Sequence, residues 1–493
     1  MLPELPSGLM GVLAARGGAL AVKVGNESLL KTVRGGVTES AKAIGLKPEA
    51  ASVLMMALAM SLHFFGYEFA RSATLTLFTS KSSGFNSNSA LPLVLACVCP
   101  ASLVLLNFYT GLLDAVGPRA ALRFTAAFCS AGLTAFAVVI SGLVKGNGGA
   151  PPGKLIKFFV FSLFVFREAY VQLLATQHWS FMGSVLNASK GATWFGPIAG
   201  ASSASSAVAG YTIGPLVQRF GVCGLLVLAS ISLVASLVFG EVAYEISEKH
   251  GFNPADEHFK EKKANKASGK DKNVENIFSK ANNLFARVPA LKFLFLETLI
   301  CQGLSTVLNV TFIAKLRRAY PIDKDRAAFM GMFYALANMA SGVFQFGVIP
   351  QIIHFLKPAW VWIFMPCVMM AMSGTQLIQN DPGLTLVAGA FMTMKTLEYS
   401  IRGVANELLY VPLDYESRYV GKEVIGMLGY RLGKSGMSLL LSGAGYFFAE
   451  GLGVNQLTAI SSSISVVWLC SAVKLTKFLP EGRIGKGIKT RKH

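Results

Sequence analysis

Charge is what this chain has least of. Acids and bases make up 14% of its 493 residues, where a soluble domain carries about 25%, so the bulk of the chain is not an ordinary water-soluble domain. Histidine is scarce as well, at six residues, which argues against metal redox chemistry. The seven cysteines, Cys97, Cys99, Cys129, Cys223, Cys301, Cys367 and Cys470, lie in or beside apolar stretches. They lack the clustered histidine or carboxylate partners of a zinc site, and Cys97-Val98-Cys99 is too short for a redox CxxC pair. They read as small apolar packing groups. No hydrolase signature is present, and the serine-rich GASSASSAVAG reads as a small-residue helix interface rather than a set of nucleophiles. RLGKSG lacks the full GxxxxGK[ST] pattern and a preceding strand, which excludes a P-loop ATPase. No catalytic residue, metal ligand or cofactor is expected.

What is present is long apolar sequence. Hydrophobic residues make up 53% of the chain, and twelve stretches are each long enough to cross about 30 Å of hydrocarbon as a helix. They run over 52–78, 88–113, 120–144, 155–176, 191–217 and 221–245, then 290–312, 326–349, 359–378, 383–409, 424–449 and 455–477. Pro197, Pro215 and Pro366 fall inside spans, where membrane helices tolerate them. A plan with fewer crossings and a re-entrant segment is the alternative, centred on 155–176 because Arg167 and Glu168 lie within it. The expected fold is an all-α polytopic membrane protein with two six-helix halves, 51–245 and 290–478. A tail at 1–50, a charged loop at 246–289 and a basic tail at 479–493 complete the division. That loop is too short to hold a catalytic domain with its own core.

The loop carries HFKEKKANKASGKDKN, including Lys260, Lys262, Lys263, Lys266, Lys270 and Lys272. Acids interrupt the lysines and no aromatic platform accompanies them, so no nucleic-acid partner is expected. Six spans per half put both tails and this loop on one side, which the positive-inside rule makes cytoplasmic or its organellar equivalent. Arg119, Arg123, Lys190, Lys357, Arg418 and Lys422 agree. Lys315, Arg317, Arg318, Lys324 and Arg326 fall on the other side, offset only in part by Asp323 and Asp325. Either they line a mouth that attracts anions or the boundaries lie elsewhere. In 1–50, the basic residues Arg16, Lys23, Lys31, Arg34, Lys42 and Lys47 fit an organelle-targeting segment; Glu4, Glu27, Glu39 and Glu49 fit a plain tail better. The net charge of +19 suits anionic lipid and an anionic substrate.

Ionisable groups within the spans are costly unless they face a cavity or a partner. Lys395, Glu398 and Arg402 are three and then four apart, which stacks them on one helical face. Asn406 continues that face and Glu407 sits about 100° round. The face is expected to line a central cavity; a structural ion pair to a neighbouring helix is the other reading. In the first half Glu68 and Arg71 are three apart, near His63 and Tyr67, and Arg167 adjoins Glu168. His178 returns to nearly the face of Arg167, as an interfacial residue or, less simply, a proton relay. Glu297 is the isolated acid of the seventh span. Arg431 and Lys434 are three apart in the eleventh, among Gly426, Gly429, Gly433 and Gly436, which permit close helix approach.

Residues 406–436, NELLYVPLDYESRYVGKEVIGMLGYRLGKSG, resemble a segment of the ATP/ADP carrier family of plastids and obligate intracellular bacteria, which is itself similar to the major facilitator fold. Glu407, Tyr410, Pro412, Leu413, Asp414, Glu416, Gly421, Lys422, Ile425, Gly429, Arg431, Gly433, Lys434, Ser435 and Gly436 match its pattern. The family usually has Lys where this chain has Asn406. Its first helix commonly carries Arg-Asp-Thr-Lys where this chain has Arg71-Ser72-Ala73-Thr74, and an Asn-Glu pair near its fifth helix is replaced by Gly183-Ser184. The resemblance implies a multi-pass carrier of nucleotides, most simply ATP/ADP exchange, in a plastid or chloroplast envelope, with another organelle or the plasma membrane as the alternatives. Another nucleotide or phosphorylated metabolite moved with a proton is one alternative, and a non-transporting scaffold without an open cavity is the other. Arg71, Arg167, Lys395, Arg402 and Lys434 are the expected substrate-binding residues. Glu68, Glu168, Glu297, Glu398 and Glu407 are expected to balance charge or couple a proton. The partners expected are the nucleotide or phosphorylated substrate and the bilayer, with no obligate protein partner.

Overall fold

The computed structural model describes residues 47–85, 90–148, 150–186, 188–251, 282, 284–348, 358–379, 381–410, 424–447 and 452–479. The expected targeting segment, most of the charged loop, the segment around Pro412 and Asp414, Lys357, the basic tail and the side chain of Glu407 lie outside the described residues.

Twelve helical rods follow one another among them. In the first half α1 is Pro48–Thr79, α2 and α3 are 90–116 and 118–146, α4 is Lys154–Val185, and α5 and α6 are 188–220 and 222–249. In the second, α7 is Pro289–Ala319, α8 is Asp323–Val343 with a π turn at Phe344–Val348, and α9 is Pro358–Ile378. Helix α10 is Leu384–Leu397, continued by a π turn at Glu398–Arg402 and by Gly403–Tyr410. Helix α11 opens with a π turn at Val424–Gly429 and runs through Tyr430–Phe447; α12 is Val454–Thr476.

Two of the breaks are single glycines. Gly117 separates α2 from α3 at φ 80°, and Gly221 separates α5 from α6 at φ 74°. Both lie in the left-handed region, which a side chain with a Cβ disfavours. Among the described residues eight continuous helical stretches are long and apolar enough to cross a membrane, one of them, Pro197–Lys249, running through α5 into α6, and the exposed Val, Leu and Phe side chains are what lipid requires of an outer surface. The fourth span is longer than its apolar run, because Arg167 pairs with Glu168 and the helix continues through both to Val185. Gly183 and Ser184 fall in its last turn.

Within the first half, serines stitch α1 to its neighbours. Ser205 donates to Ser61 O at 2.9 Å, Ser232 to Leu62 O at 2.7 Å and Ser236 to Ala59 O at 2.6 Å. In membranes small hydroxyl residues bring helix backbones close and satisfy their carbonyls. Arg119 and Arg123 of α3 grip Glu241 of α6. The second half is built on α7, which packs against α10, α11 and α12.

The halves meet along two main seams. On one, α8 lies against α5 and α1; on the other, α11 lies against α2. Gly210 and Gly331 set the first: a Cβ on Gly210 would stand 2.6 Å from Gly331 O, and one on Gly331 2.7 Å from Gly210 O. The second is pinned by Ser435 donating to Leu95 O at 3.0 Å. The basic run at the end of α7 and the start of α8 is tied into these ends. Lys315 Nζ meets Asp381 Oδ1 at 2.5 Å, and this bond holds the exposed Asp381 carboxyl below its ordinary range. Arg317 donates to Phe85 O at 3.3 Å and Lys324 to Gln218 O at 3.4 Å, both across the halves.

Candidate functional site

The ionisable residues of the spans gather where the halves meet, and most are paired. On α1, Arg71 donates to Glu68, and both are buried. On α4, Arg167 Nη1 meets Glu168 Oε1 at 2.5 Å and Tyr67 OH at 3.3 Å. On α10, Lys395 Nζ lies 2.8 Å from Glu398 Oε2 and 3.0 Å from Ser305 Oγ of α7. Gln302 Nε2 donates to Glu398 Oε1 at 2.8 Å. A carboxylate only accepts, so this bond fixes which end of the Gln302 amide faces it.

Arg402 stands one turn further along the same α10 face, opposite the next turn of α7. Its Nη2 is 2.8 Å from both Glu297 Oε2 and Thr298 Oγ1, and its Nη1 donates to Tyr430 OH of α11. Trp468 Nε1 of α12 donates to Glu297 Oε1 at 2.7 Å. Arg402 and Glu297 are both wholly buried. The spacing of Lys395, Glu398 and Arg402 does put them on one face, and that face abuts α7. Arg402 and Glu297 therefore form an ion pair that braces four helices, while Lys395 and Glu398 lie further along, beside α11.

Two cations stand apart from this pairing. Lys434 and Arg431, three apart on α11, form no ion pair among the described residues. Arg431 reaches only the backbone carbonyl of Glu168, at 3.5 Å. Lys434 lies within electrostatic reach of Lys395, Glu398, Glu168 and Arg431. Their helix comes close because Gly433 seats against α7, where a Cβ would meet Gln302 Cβ at 2.8 Å and Leu299 O at 2.9 Å. The glycine and the lysine of the RLGKSG stretch thus do separate jobs: one allows contact, the other presents charge.

Residues that the charge pattern does not single out complete the site. Tyr334 of α8 covers Arg71, with Cζ 3.2 Å from the ring centroid. Asn338, one turn on, donates to Glu68 Oε1 at 3.2 Å. Their signal in the sequence is weak: polar residues four apart in a helix that otherwise reads as apolar. His63 and His178 stack at 5.5 Å inside the first half, beside Tyr170. His178 Nδ1 is 2.6 Å from Leu174 O, which places the His178 proton there because a carbonyl only accepts. Among the described residues no group of three or more histidine, cysteine or acidic side chains forms a metal site.

Twelve helices in two halves, with paired and unpaired charge where the halves meet, define an integral membrane protein of major-facilitator architecture. The nucleoside transporter NupG shares that fold with a TM-score of 0.59, at 8% identity over 86% of this chain and 99% of its own. The chain belongs to the TLC ATP/ADP transporter family, which matches residues 161–478. It is 28% identical over 270 residues to ADP,ATP carrier protein 1 of Chlamydia trachomatis, covering 51% of this chain and 49% of that protein. It is 26% identical over 162 residues to the chloroplastic ADP,ATP carrier protein 2 of Arabidopsis thaliana, covering 29% and 26%. The chain thus spans about half the length, or less, of these relatives in alignment.

Proposed function

We propose that this chain exchanges nucleotides, ATP against ADP, across a plastid envelope by alternating access of the two halves. The observation that carries this reading is that Arg431 and Lys434 form no ion pair among the described residues. Glu68 with Arg71, Glu168 with Arg167, Glu398 with Lys395 and Glu297 with Arg402 are each matched one to one. The two α11 cations, both half-buried, have no paired acid among the described residues, and positive charge so placed inside a membrane calls for an anion. A polyphosphate supplies it. Membership of an ATP/ADP transporter family supports the substrate, and the chloroplastic relatives support the membrane.

In this reading Lys434 and Arg431 take the phosphates, joined by Lys395, Arg71 and Arg167, whose acid partners keep the empty site from excessive positive potential. Glu68, Glu168, Glu398 and Glu407 balance charge, and Arg402 with Glu297 braces the second half. The cycle makes and breaks no covalent bond, so the protein acts as a carrier and not as an enzyme. Crossing the membrane empty leaves Arg431 and Lys434 with no ion-pair partner among the described residues, which disfavours the empty return and favours exchange. Binding of labelled ATP and ADP by purified protein tests the substrate. Affinity falls by about tenfold or more in Lys434→Ala, the worth of one charge-assisted contact. Equal affinity in the variant would remove Lys434 from the site.

A further inference from the structure

The contact between α1 and α8 is a ladder. On α8 the residues Asp323, Arg326, Tyr334 and Asn338 fall at helical spacing on the face toward α1. Asn338 donates to Glu68 Oε1 at 3.2 Å. Tyr334 stacks on the Arg71 guanidinium at 3.2 Å. Arg326 Nη2 donates to Thr76 O at 3.3 Å. Ser80 donates to Asp323, which also holds Arg326 at 2.5 Å. The rungs climb in order from the candidate site to the end of the bundle where α1 stops and α8 starts, and each joins one half to the other. Arg326 is buried, so the basic residues that break the charge rule on this side include one that belongs to the seal.

The inner rungs share their groups with the site. Glu68 accepts from Arg71 in its own half and from Asn338 in the other. Arg71 is paired through Nη2, its face is covered by Tyr334, and its Nε is buried without a hydrogen-bond partner. That N–H therefore lacks an acceptor. We propose that Tyr334 and Asn338 are positioning residues that make the seal at the far end depend on whether the site is occupied. A phosphate oxygen on Arg71 Nε competes with Glu68 for one guanidinium, and the two anions repel. Arg71 is drawn off the Tyr334 ring, Glu68 shifts from Asn338, and the ladder opens from its inner rungs outward. This rests on the nucleotide reading above for the identity of the phosphate; the ladder stands on its geometry.

Hydrogen–deuterium exchange on the full chain in nanodiscs tests it, with ADP as the probe, read at residues 76–85 and 320–327. In the wild type, ADP speeds exchange at both segments. In Tyr334→Leu/Asn338→Leu both segments exchange about thirtyfold faster or more without ADP, the worth of one cation–π contact and one hydrogen bond to a charged group, and ADP adds little. Tyr334→Phe, which keeps the ring, behaves as wild type. If the double variant does not fold, Tyr334→Leu alone is read in the same way. The proposal is overturned if the ring-deleted variants exchange at the wild-type rate, or if Tyr334→Phe opens as far as they do. Opening in those variants with no ADP response in the wild type upholds the ladder and rejects ADP as the ligand that releases it.

Discussion

A positively charged side chain has opposite jobs at two places in this site. Arg402 is wholly buried against Glu297, Thr298 and Tyr430, whereas Lys434 has no acid within ion-pair distance among the described residues. Removing one partner of a buried pair leaves the other charge stranded, which costs about 3–5 kcal/mol. Arg402→Ala therefore lowers the melting temperature sharply. Arg402→Met with Glu297→Leu, which removes both charges, recovers much of the loss. Lys434→Ala leaves melting nearly unchanged or raises it, since it removes an uncompensated charge, and weakens nucleotide binding instead. Thermal melting in one detergent, with binding measured on the same samples, separates the two. Equal melting losses for Arg402→Ala and Lys434→Ala would contradict the division of roles. The charged positions themselves were legible in the sequence, because charge inside apolar spans stands out. Their pairing was not. Spacing places Lys395, Glu398 and Arg402 on one face, but only the packing of α7 shows that Glu297, Gln302 and Ser305 wait opposite.

At the scale of helices, the boundaries were legible wherever an apolar run ended in polar residues, and the α2/α3 and α5/α6 breaks match the expected gaps near 117 and 221. The π turns of α8, α10 and α11 were not, since one inserted residue leaves no periodic signature in a stretch apolar on all sides. Nor did the sequence reveal the ladder of α8, whose rungs are uncharged at Tyr334 and Asn338. Close approach of helices depends on glycine at several points, two of which bear on the seam and the site. At the α5/α8 seam, Gly210→Val drives a side chain into the backbone of Gly331 and Cβ of Ala335. Overpacking of this kind costs about 1–3 kcal/mol, so the variant melts lower and its halves separate at α8. On α11, Gly433→Val collides with Leu299 and Gln302 of α7 and displaces Lys434 along with the helix. That variant loses nucleotide binding while Gly436→Ala, which meets nothing within 4 Å, keeps it. Binding assays on the two variants check the claim, and retained affinity in Gly433→Val would refute it.

At the scale of the whole molecule, two halves held at their seams meet beside α11, whose Arg431 and Lys434 form no ion pair among the described residues. Where the resembled family usually has Lys, this chain has Asn406, so α10 carries one positive charge fewer there. In the proposed cycle the carrier crosses the membrane loaded in both directions, because in the empty site Arg431 and Lys434 have no ion-pair partner among the described residues. Uptake of labelled ATP into proteoliposomes, with and without ADP inside, tests this most directly when wild type and Lys434→Ala are inserted in equal amounts. The account predicts rapid uptake by the wild type only when ADP is inside, and little uptake by Lys434→Ala in either case. Wild-type uptake into vesicles without internal nucleotide, at the rate seen with ADP inside, would contradict it.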